Sequence, residues 1–570
     1  MKNRESIQKI ILEILDLVEV TEKSVHKIFL KYTSETKRVF KKSKVLSEYR
    51  KLKSVNKLNL TESEEKKLLK VLRLKKTRTI SGVTPVTVLT KPYPCPGECI
   101  YCPGDLSMPK SYLRDEPGAQ RAEANKFDPY LQTYNRLVTY NDIGHPTDKV
   151  ELIILGGTWT VYPEEYQIWF VKRCFDAMND FNPDIISDKK EVDVEMPYNE
   201  EEVEEGATSD YSSKISKILK RNEKERSIWE ELSKSQKINE KSKTRCVGLV
   251  VETRPDFVTE EELKRIRRLG GTKIQVGVQS LDDEILKLNK RGHTSEQTKA
   301  AFSLIRQAGF KIHAHWMPNL LGSNVEKDIK DFKKLFSDKC LKPDELKIYP
   351  CSLINGTKLM DYYKKGKWKP YSEQELLKVL KSVIMATPRY CRITRVVRDI
   401  SSDDIVAGNK KTNFRQIVEK ELLRENKKPK EIRFREIRNK DVNVRKSSFK
   451  ITEYKTDVST EYFIEYICES DIILGFLRLS LPHKKPFMSE LDNSAIIREV
   501  HIYGRSIRIG SEENAVAQHM GLGRNLIEKA EKISRKHGFS RISIISAVGT
   551  KEYYRNIGYK ENGLYMQKVL

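Results

Sequence analysis

No stretch of this sequence approaches the run of about 18 apolar residues that a membrane-spanning helix requires, so a membrane partner is not expected. The first twenty residues, MKNRESIQKIILEILDLVEV, break their apolar pattern with acids, unlike a secretory signal. Cysteine is scarce, nine in 570 residues, odd in number and mostly scattered. That usage excludes a disulfide framework and points to a reducing, cytoplasmic setting. Acid is also in short supply: 81 Asp and Glu face 106 Lys and Arg, a net charge of +25. Such an excess suggests a polyanionic partner, with the lysine enrichment of an AT-rich genome as the plainer alternative. Residues 1–80 carry 22 Lys or Arg against 10 Asp or Glu, about half of the whole excess.

The chain is too long for one core, and its patterning divides it. Residues 1–75 read as helices, with SIQKIILEILDLV and ESEEKKLLKVLRL repeating apolar residues at three- and four-residue steps. The basic stretch KYTSETKRVFKKSKVLSEYRKLKS makes this segment a candidate surface for a phosphate backbone, or simply a solvated bundle. From about residue 76 to 390, strand-like runs (TPVTVLT, KVELIILGGT, RCVGLVVETRPD, TKIQVGVQS, KIHAHWMPN, ELKIYPC) alternate with helical ones. Repeated βα units predict part of a parallel barrel, whose chemistry sits at the carboxyl ends of the strands. Residues 182–243 interrupt the pattern with an acidic, apolar-poor insertion expected to be a solvated loop. Residues 391–440 read as a basic linker, and 441–570 as a second, mixed α+β domain. The expected fold class is therefore α/β multidomain.

KPYPCPGECIYCPGD places Cys95, Cys99 and Cys102 in a C-x3-C-x2-C spacing just after a strand. A structural zinc site wants four ligands and no second knuckle is nearby. A four-iron cluster is held by three thiolates with one iron left open. The later strand ends add polar or unhindered positions: Gly156 and Gly157, Glu252 and Arg254, Gln279 and Ser280, then Arg291 and His293. Each alone fits a loop or cap. Together, in order along the sheet, they suggest a ligand-lined mouth.

Near the other end, QHMGLGRNLIEKAEKISRKHG gives Gln518, Gly521 and Gly523 ahead of an amphipathic helix. Amide N–H groups at such a helix start suit a pyrophosphate. Tyr553 and Tyr554 come later, in GTKEYYRNIGY, as candidate donors to a departing thiolate or as core residues. Glu499 and His501 in REVHIYG are the visible candidates for a base in this half.

The cysteine spacing with Tyr101 resembles the radical S-adenosylmethionine (SAM) motif. The Q-x-x-G-x-G turn, with ISIISAV and YYRNIGY after its helix, resembles an acetyl-CoA domain of the Gcn5-related N-acetyltransferase (GNAT) type. In this order, and with RTISGV, FDPYLQTYNRL, ETRPD and GVQSLDDEILKLNKRGHT, residues 75–570 apart from the insertion resemble the elongator protein 3 family. The resemblance implies a partial TIM-like (β/α) radical SAM barrel joined to a GNAT-type domain. It implies a tRNA uridine carboxymethyltransferase acting at carbon 5 of the wobble uridine. Cys95, Cys99 and Cys102 would hold a [4Fe-4S] cluster, with Gly156 and Gly157 where this superfamily meets the SAM amino group. SAM would yield a radical that takes hydrogen from the acetyl-CoA methyl, and thioester hydrolysis would leave the carboxymethyl group. Expected partners are the tRNA anticodon stem-loop, an electron donor and, in a eukaryotic setting, Elongator subunits. RVVRD and RFREIR join the N-terminal helices as candidate tRNA contacts. Some relatives carry a cysteine-rich linker, but KPKEIRFREIR has no cysteine; Cys351 and Cys391 make no convincing zinc pair, so none is expected. Two other readings stand beside this one: a protein lysine acetyltransferase with a structural cluster domain, and an acetyl-CoA-responsive tRNA-binding protein without catalysis.

Overall fold

Short apolar runs rich in Val, Ile and Leu become seven parallel strands laid down in near-sequential order. The computed structural model describes every residue except 1, 55–56, 59, 75–78, 80, 186, 192–193, 204–207, 209, 221, 439–445 and 504–520. Strands β1 (Thr84–Leu89), β2 (Lys149–Leu155), β3 (Arg245–Thr253), β4 (Lys273–Gln279), β5 (Lys311–Trp316) and β6 (Glu345–Ile348) come first. The short β7 (Leu353–Ile354), then β8 (Arg392–Val396) and β9 (Ile405–Ala407) follow. The main sheet runs β1-β2-β3-β4-β5-β6-β8, every pair parallel, and β7 and β9 form a separate ribbon. Helices connect the strands, as parallel pairing demands, and the sheet is that of a partial barrel.

Alternation within the strands separates two environments. Ile274, Val276 and Val278 of β4 join the main apolar core. The intervening polar residues meet across the sheet, where Lys273 Nζ lies 2.7 Å from Glu151 and 2.9 Å from Glu345. Charge here is buried but paired, the condition on which it is tolerated.

Four helices precede the sheet: Lys2–Asp16, Glu22–Thr36, Lys42–Ser54 and Glu62–Leu72. They bury their own apolar face, with Ile10, Ile11, Ile14, Val25, Leu46 and Leu68 at its centre. Capping boxes start two of them, at Thr21 with Ser24 and at Thr61 with Glu64. Arg73 Nε donates to the Gly144 carbonyl at 2.7 Å, tying the bundle to the barrel.

The second unit is an α+β domain. Its strands are β10 (Ser448–Lys455), β11 (Ser459–Cys468), β12 (Ile472–Pro482), β13 (Ser494–Ile502), β14 (Arg541–Ile544), β15 (Lys560–Asn562) and β16 (Tyr565–Val569). The sheet order is β10-β11-β12-β13-β14-β16-β15, antiparallel except for β13 with β14. The helix Leu522–Lys536 makes the crossover that this parallel pair needs, burying Leu522, Leu526, Ile527 and Ala530 on the sheet. Buried ions join the two units: Arg498 on β13 meets Asp344 and Glu461 at 2.7 and 2.8 Å, and Lys311 meets Glu499 at 2.8 Å.

Two stretches differ from the sequence reading. The expected linker, 391–440, supplies β8, the final strand of the barrel sheet, and the helix Phe414–Arg424 packs its Phe414, Val418 and Leu422 into the main core. Its cations are not free: Arg392 pairs with Glu436 and Arg415 with Glu431, both within the same stretch but on the far side of a turn, and Arg435 with Glu465 of β11. The acidic insertion is not simply a solvated loop. It contains the helices Tyr211–Ile218 and Trp229–Asn239, and Tyr198, Tyr211 and Ile215 are buried. Among the described residues, no helix is long and apolar enough to cross a membrane.

Candidate active site

The cysteine loop leaves β1 at the carboxyl edge of the sheet and turns without regular structure. Short backbone bonds shape it, from Cys102 N–H to the Cys99 carbonyl at 3.2 Å and from Ile100 N–H to the Asn289 carbonyl at 3.2 Å. Two guanidinium groups press on it, one from directly after β3 and one from the loop that follows the helix Asp283–Leu288. Arg254, directly after β3, spends Nε and Nη2 on Asp256 at 3.0 and 2.8 Å, and Nη2 also holds the Arg291 carbonyl at 2.8 Å. Arg291 places Nη1 3.3 Å from Cys99 Sγ and Nη2 2.7 Å from the Gly277 carbonyl.

Glycine is what allows this approach. A Cβ at Gly97 would stand 2.3 Å from Arg254 Nη1, and one at Gly277 would stand 2.4 Å from Arg291 Nη2. Gly156 and Gly157 follow β2 with φ of 134° and 97°, a region that L side chains avoid. A Cβ at Gly156 would overlap Thr90 Oγ1 at 1.8 Å.

Gln279 ends β4 just after a register shift between Gly277 and Gln279, with φ of 66°. The shift re-aims its side chain at the strand end, as bulges do. Ser280 comes next, its Oγ accepting from Asp282 N–H at 3.1 Å as a turn residue. Gln279 Oε1, Arg254 Nη1, Arg291 Nε and both ring nitrogens of His293 are buried without a hydrogen-bond partner. Unspent buried polar groups in one place mark a site built for something they would bond.

Electrostatics separate the thiols. Burial would push the Cys99 thiol up, but the charge and hydrogen bond of Arg291, with the charge of Arg254, bring it below its ordinary value. Burial takes Cys102 up to about 11 against the pull of Lys110. Burial, with Arg291 and Arg254, lowers His293 to about 2, so its ring is neutral. Burial lifts Glu252 above the usual carboxylate range although Lys347, Arg398 and Arg291 oppose it, and lowers Lys347 to about 8 against the pull of Glu252. Glu252 also lies 3.6 Å from His315 Nδ1.

The donor set fits a sulfur-ligated cluster. Among the described residues no three His, Cys, Asp or Glu side chains converge on a point that would hold a single metal ion. The three thiols of this loop are the donors a sulfur-ligated cluster would use, and Arg291 and Arg254 beside Cys99 suit its negative charge.

In the α+β domain, Gly521 caps the helix Leu522–Lys536 with φ of 67°, and Gly523 lies in the first turn. A Cβ on Gly523 would touch the Tyr553 hydroxyl at 3.3 Å, so that hydroxyl faces the glycine turn. Tyr553 is 41% exposed, whereas Tyr554 is 8% exposed and packs in the second core. Gln518 lies outside the described residues. Glu499 is committed elsewhere: burial is overcome by Lys311 and Arg478, which hold its carboxyl down to about 2. Burial lowers His501 to about 4. The base that a lysine acetyltransferase would need is thus not offered by Glu499.

Sequence reasoning missed Asp256, which orients Arg254, although it stands in the same ETRPD phrase. It also missed Ser212, whose hydroxyl bonds the Cys95 backbone from within the insertion. Of the expected tRNA contacts, Arg398 is spent on Glu116 and Ser111, and Arg435 on Glu465.

The chain matches the Radical SAM superfamily model over residues 206–335 and the Radical_SAM C-terminal domain model over 343–424, both beyond the cysteines. It is 39% identical over 526 residues to a tRNA uridine(34) acetyltransferase of Methanocaldococcus infernus, spanning 90% of each chain. With the Elongator complex protein 3 of Homo sapiens it shares 33% identity over 528 residues, 89% of this chain and 87% of that one. The chain belongs to the elongator protein 3 (Elp3) family. A solved structure of the archaeal Methanocaldococcus infernus Elp3 with an N-terminal deletion superposes with a TM-score of 0.69 at 35% identity, over 86% of this chain and 100% of that one. The Elp3 likeness therefore embraces both units, the radical SAM barrel and the α+β domain.

Proposed function

We propose that this protein modifies the wobble uridine of tRNA, building a carboxymethyl group on carbon 5 from acetyl-CoA. The observation that carries the reading is the pinned pair Arg254 and Arg291 set against three cysteines at the carboxyl mouth of a parallel barrel. Its named relatives act on tRNA uridine(34). Cys95, Cys99 and Cys102 would hold the [4Fe-4S] cluster, and together cluster and SAM supply a one-electron route to a C–H bond too weakly acidic for a side-chain base.

The chain's own residues do the rest. Arg291 and Arg254 offset negative charge at the thiolates. Gly156 and Gly157 leave the backbone bare for SAM, and Glu252, Gln279 and Ser280 offer polar contacts around it. Domain 441–570 is read as GNAT-type: Gln518, Gly521 and Gly523 take the pyrophosphate of acetyl-CoA at the helix start. Tyr553 donates a proton to the CoA thiolate as it departs. Tyr554, in the core, positions it. The basic helices of residues 1–75 hold the anticodon stem-loop, whose unpaired uridine suits single-strand recognition.

The reading is tested by anaerobic reconstitution with SAM, acetyl-CoA and an anticodon stem-loop, followed by nucleoside mass spectrometry. A carboxymethylated uridine is expected at the wobble position, and none with Cys99→Ala. An unmodified stem-loop in the presence of a fully loaded cluster would overturn it.

A further inference from the structure

The acidic insertion interrupts the barrel between β2 and β3, and the proposed chemistry makes no use of it. Yet it returns to the cysteine loop at four places. Ser212 Oγ accepts from Cys95 N–H at 3.1 Å and donates to the Cys95 carbonyl at 2.8 Å. The Tyr211 hydroxyl donates to the Met108 carbonyl at 2.8 Å, and Thr208 N–H to the Gly104 carbonyl at 2.9 Å. Glu225 forms an ion pair with Lys91.

These contacts are not those of a solvated arm. Tyr198, Tyr211, Ile215 and Ile218 share a separate apolar core with Leu106 and Met108 of the cysteine loop. A Cβ at Gly104 would lie 2.6 Å from the Thr208 carbonyl oxygen and 2.8 Å from Tyr211 Cβ, so the two segments meet at backbone distance. The ring of Tyr211 also seats Lys110 Nζ of the cysteine loop at 4.9 Å.

We propose that the insertion is a strap that holds the cysteine loop in its ligating shape, with Ser212 the positioning residue for Cys95. The strap rests on the radical SAM reading for its purpose, but its mechanics belong to the protein alone. The cysteine loop has no ladder to satisfy its backbone, and the strap supplies partners for both groups of Cys95 and for the carbonyls of Gly104 and Met108. Groups that orient metal ligands in this way commonly alter metal retention by about 10- to 100-fold.

The test uses the full chain, with Ser212→Ala, Tyr211→Phe and the hydroxyl-retaining Ser212→Thr. In the metal-free protein, hydrogen exchange of the amides from Cys95 to Met108 should quicken about tenfold in Ser212→Ala, less in Tyr211→Phe, and recover in Ser212→Thr. In the reconstituted protein, an iron chelator should strip Ser212→Ala about tenfold faster than wild type. Unchanged exchange in Ser212→Ala overturns the strap. Faster exchange with unchanged stripping overturns the assignment of Ser212 to cluster retention. If wild type takes up no cluster at all, the radical SAM reading falls, and the exchange data still decide the strap.

Discussion

Arg291 stands between Cys99 and Gly277, with Nη1 3.3 Å from the thiol sulfur and Nη2 2.7 Å from the carbonyl oxygen. Arg254 fixes the Arg291 backbone in turn, and Asp256 fixes Arg254. A positive charge is thereby held at one thiol by the turn after β3 and the Gly277 carbonyl of β4, with little freedom to leave. Replacing Arg291 with Ala should lower cluster retention on the order of 10- to 100-fold while the fold survives. Gly277→Ala should do nearly the same, because its Cβ would displace Nη2. Iron analysis after desalting checks both. Full retention in Arg291→Ala would show that the guanidinium is incidental.

Neighbouring glycines should respond differently. Gly156→Ala sets a Cβ 1.8 Å from Thr90 Oγ1 and 3.1 Å from the Thr90 backbone N at a φ of 134°, whereas Gly157→Ala meets nothing closer than 3.8 Å. Both incur backbone strain of about 1–3 kcal/mol, but Gly156→Ala must also move β1 or β2. Its thermal unfolding midpoint should fall well below that of Gly157→Ala, and SAM binding by calorimetry should be lost. Equal midpoints would contradict the close approach of Gly156 to Thr90.

Acid should loosen the junction between barrel and α+β domain. Glu499 is depressed to about 2, with Lys311 and Arg478 overcoming its burial. An unfolded glutamate titrates near about 4.3. Its contribution is therefore complete above that value and is lost as pH falls from there toward about 2. Glu499→Gln should unfold more easily near neutrality, and its stability should decline less steeply in that acid window. Glu499→Ala, which strands two cations, should cost about 3 kcal/mol. Denaturant unfolding at several pH values measures both, and an unaltered acid slope in Glu499→Gln would deny the pairing.

The two tyrosines should part company. Tyr553→Phe should leave stability nearly unchanged and slow the acetyl-CoA-dependent step by about 100-fold, the usual scale of a lost proton donor. Tyr554→Ala should cost about 3–5 kcal/mol as a core truncation. If Tyr553→Phe keeps full activity, the proton comes from elsewhere.

The first six barrel strands and the residues at their ends were legible because apolar runs bounded by Gly, Pro or charged phrases are local signals, whereas β8 lies in the stretch that reads as linker. GVQS and ETRPD each announced a strand end, and Arg254, Gln279 and Arg291 do gather there. What escaped was long-range. Residues 391–440 read as a basic linker because pairings such as Arg392 with Glu436, 44 residues on, and Arg435 with Glu465 of β11 appear only once the chain folds back. The insertion read as solvated because acids outnumber apolar residues in SDKKEVDVEMPYNEEEVEEGATSDYSS, although Tyr198, Tyr211 and Ile215 suffice to anchor it. Ser212 carried no signal at all, since a lone serine gains meaning only from what the fold sets beside it. Gly523 and Tyr553, thirty residues apart, were each visible, but not that one faces the other.

The central claim is that a hydrogen of the acetyl methyl group is removed at the cysteine site before carbon joins uridine. Acetyl-CoA carrying three deuterons on that methyl, supplied with SAM and an anticodon stem-loop, tests it directly by mass spectrometry. One deuteron should appear in 5′-deoxyadenosine and two in the side chain of the modified uridine. A 5′-deoxyadenosine free of deuterium, with the label intact on a protein lysine, would contradict the account.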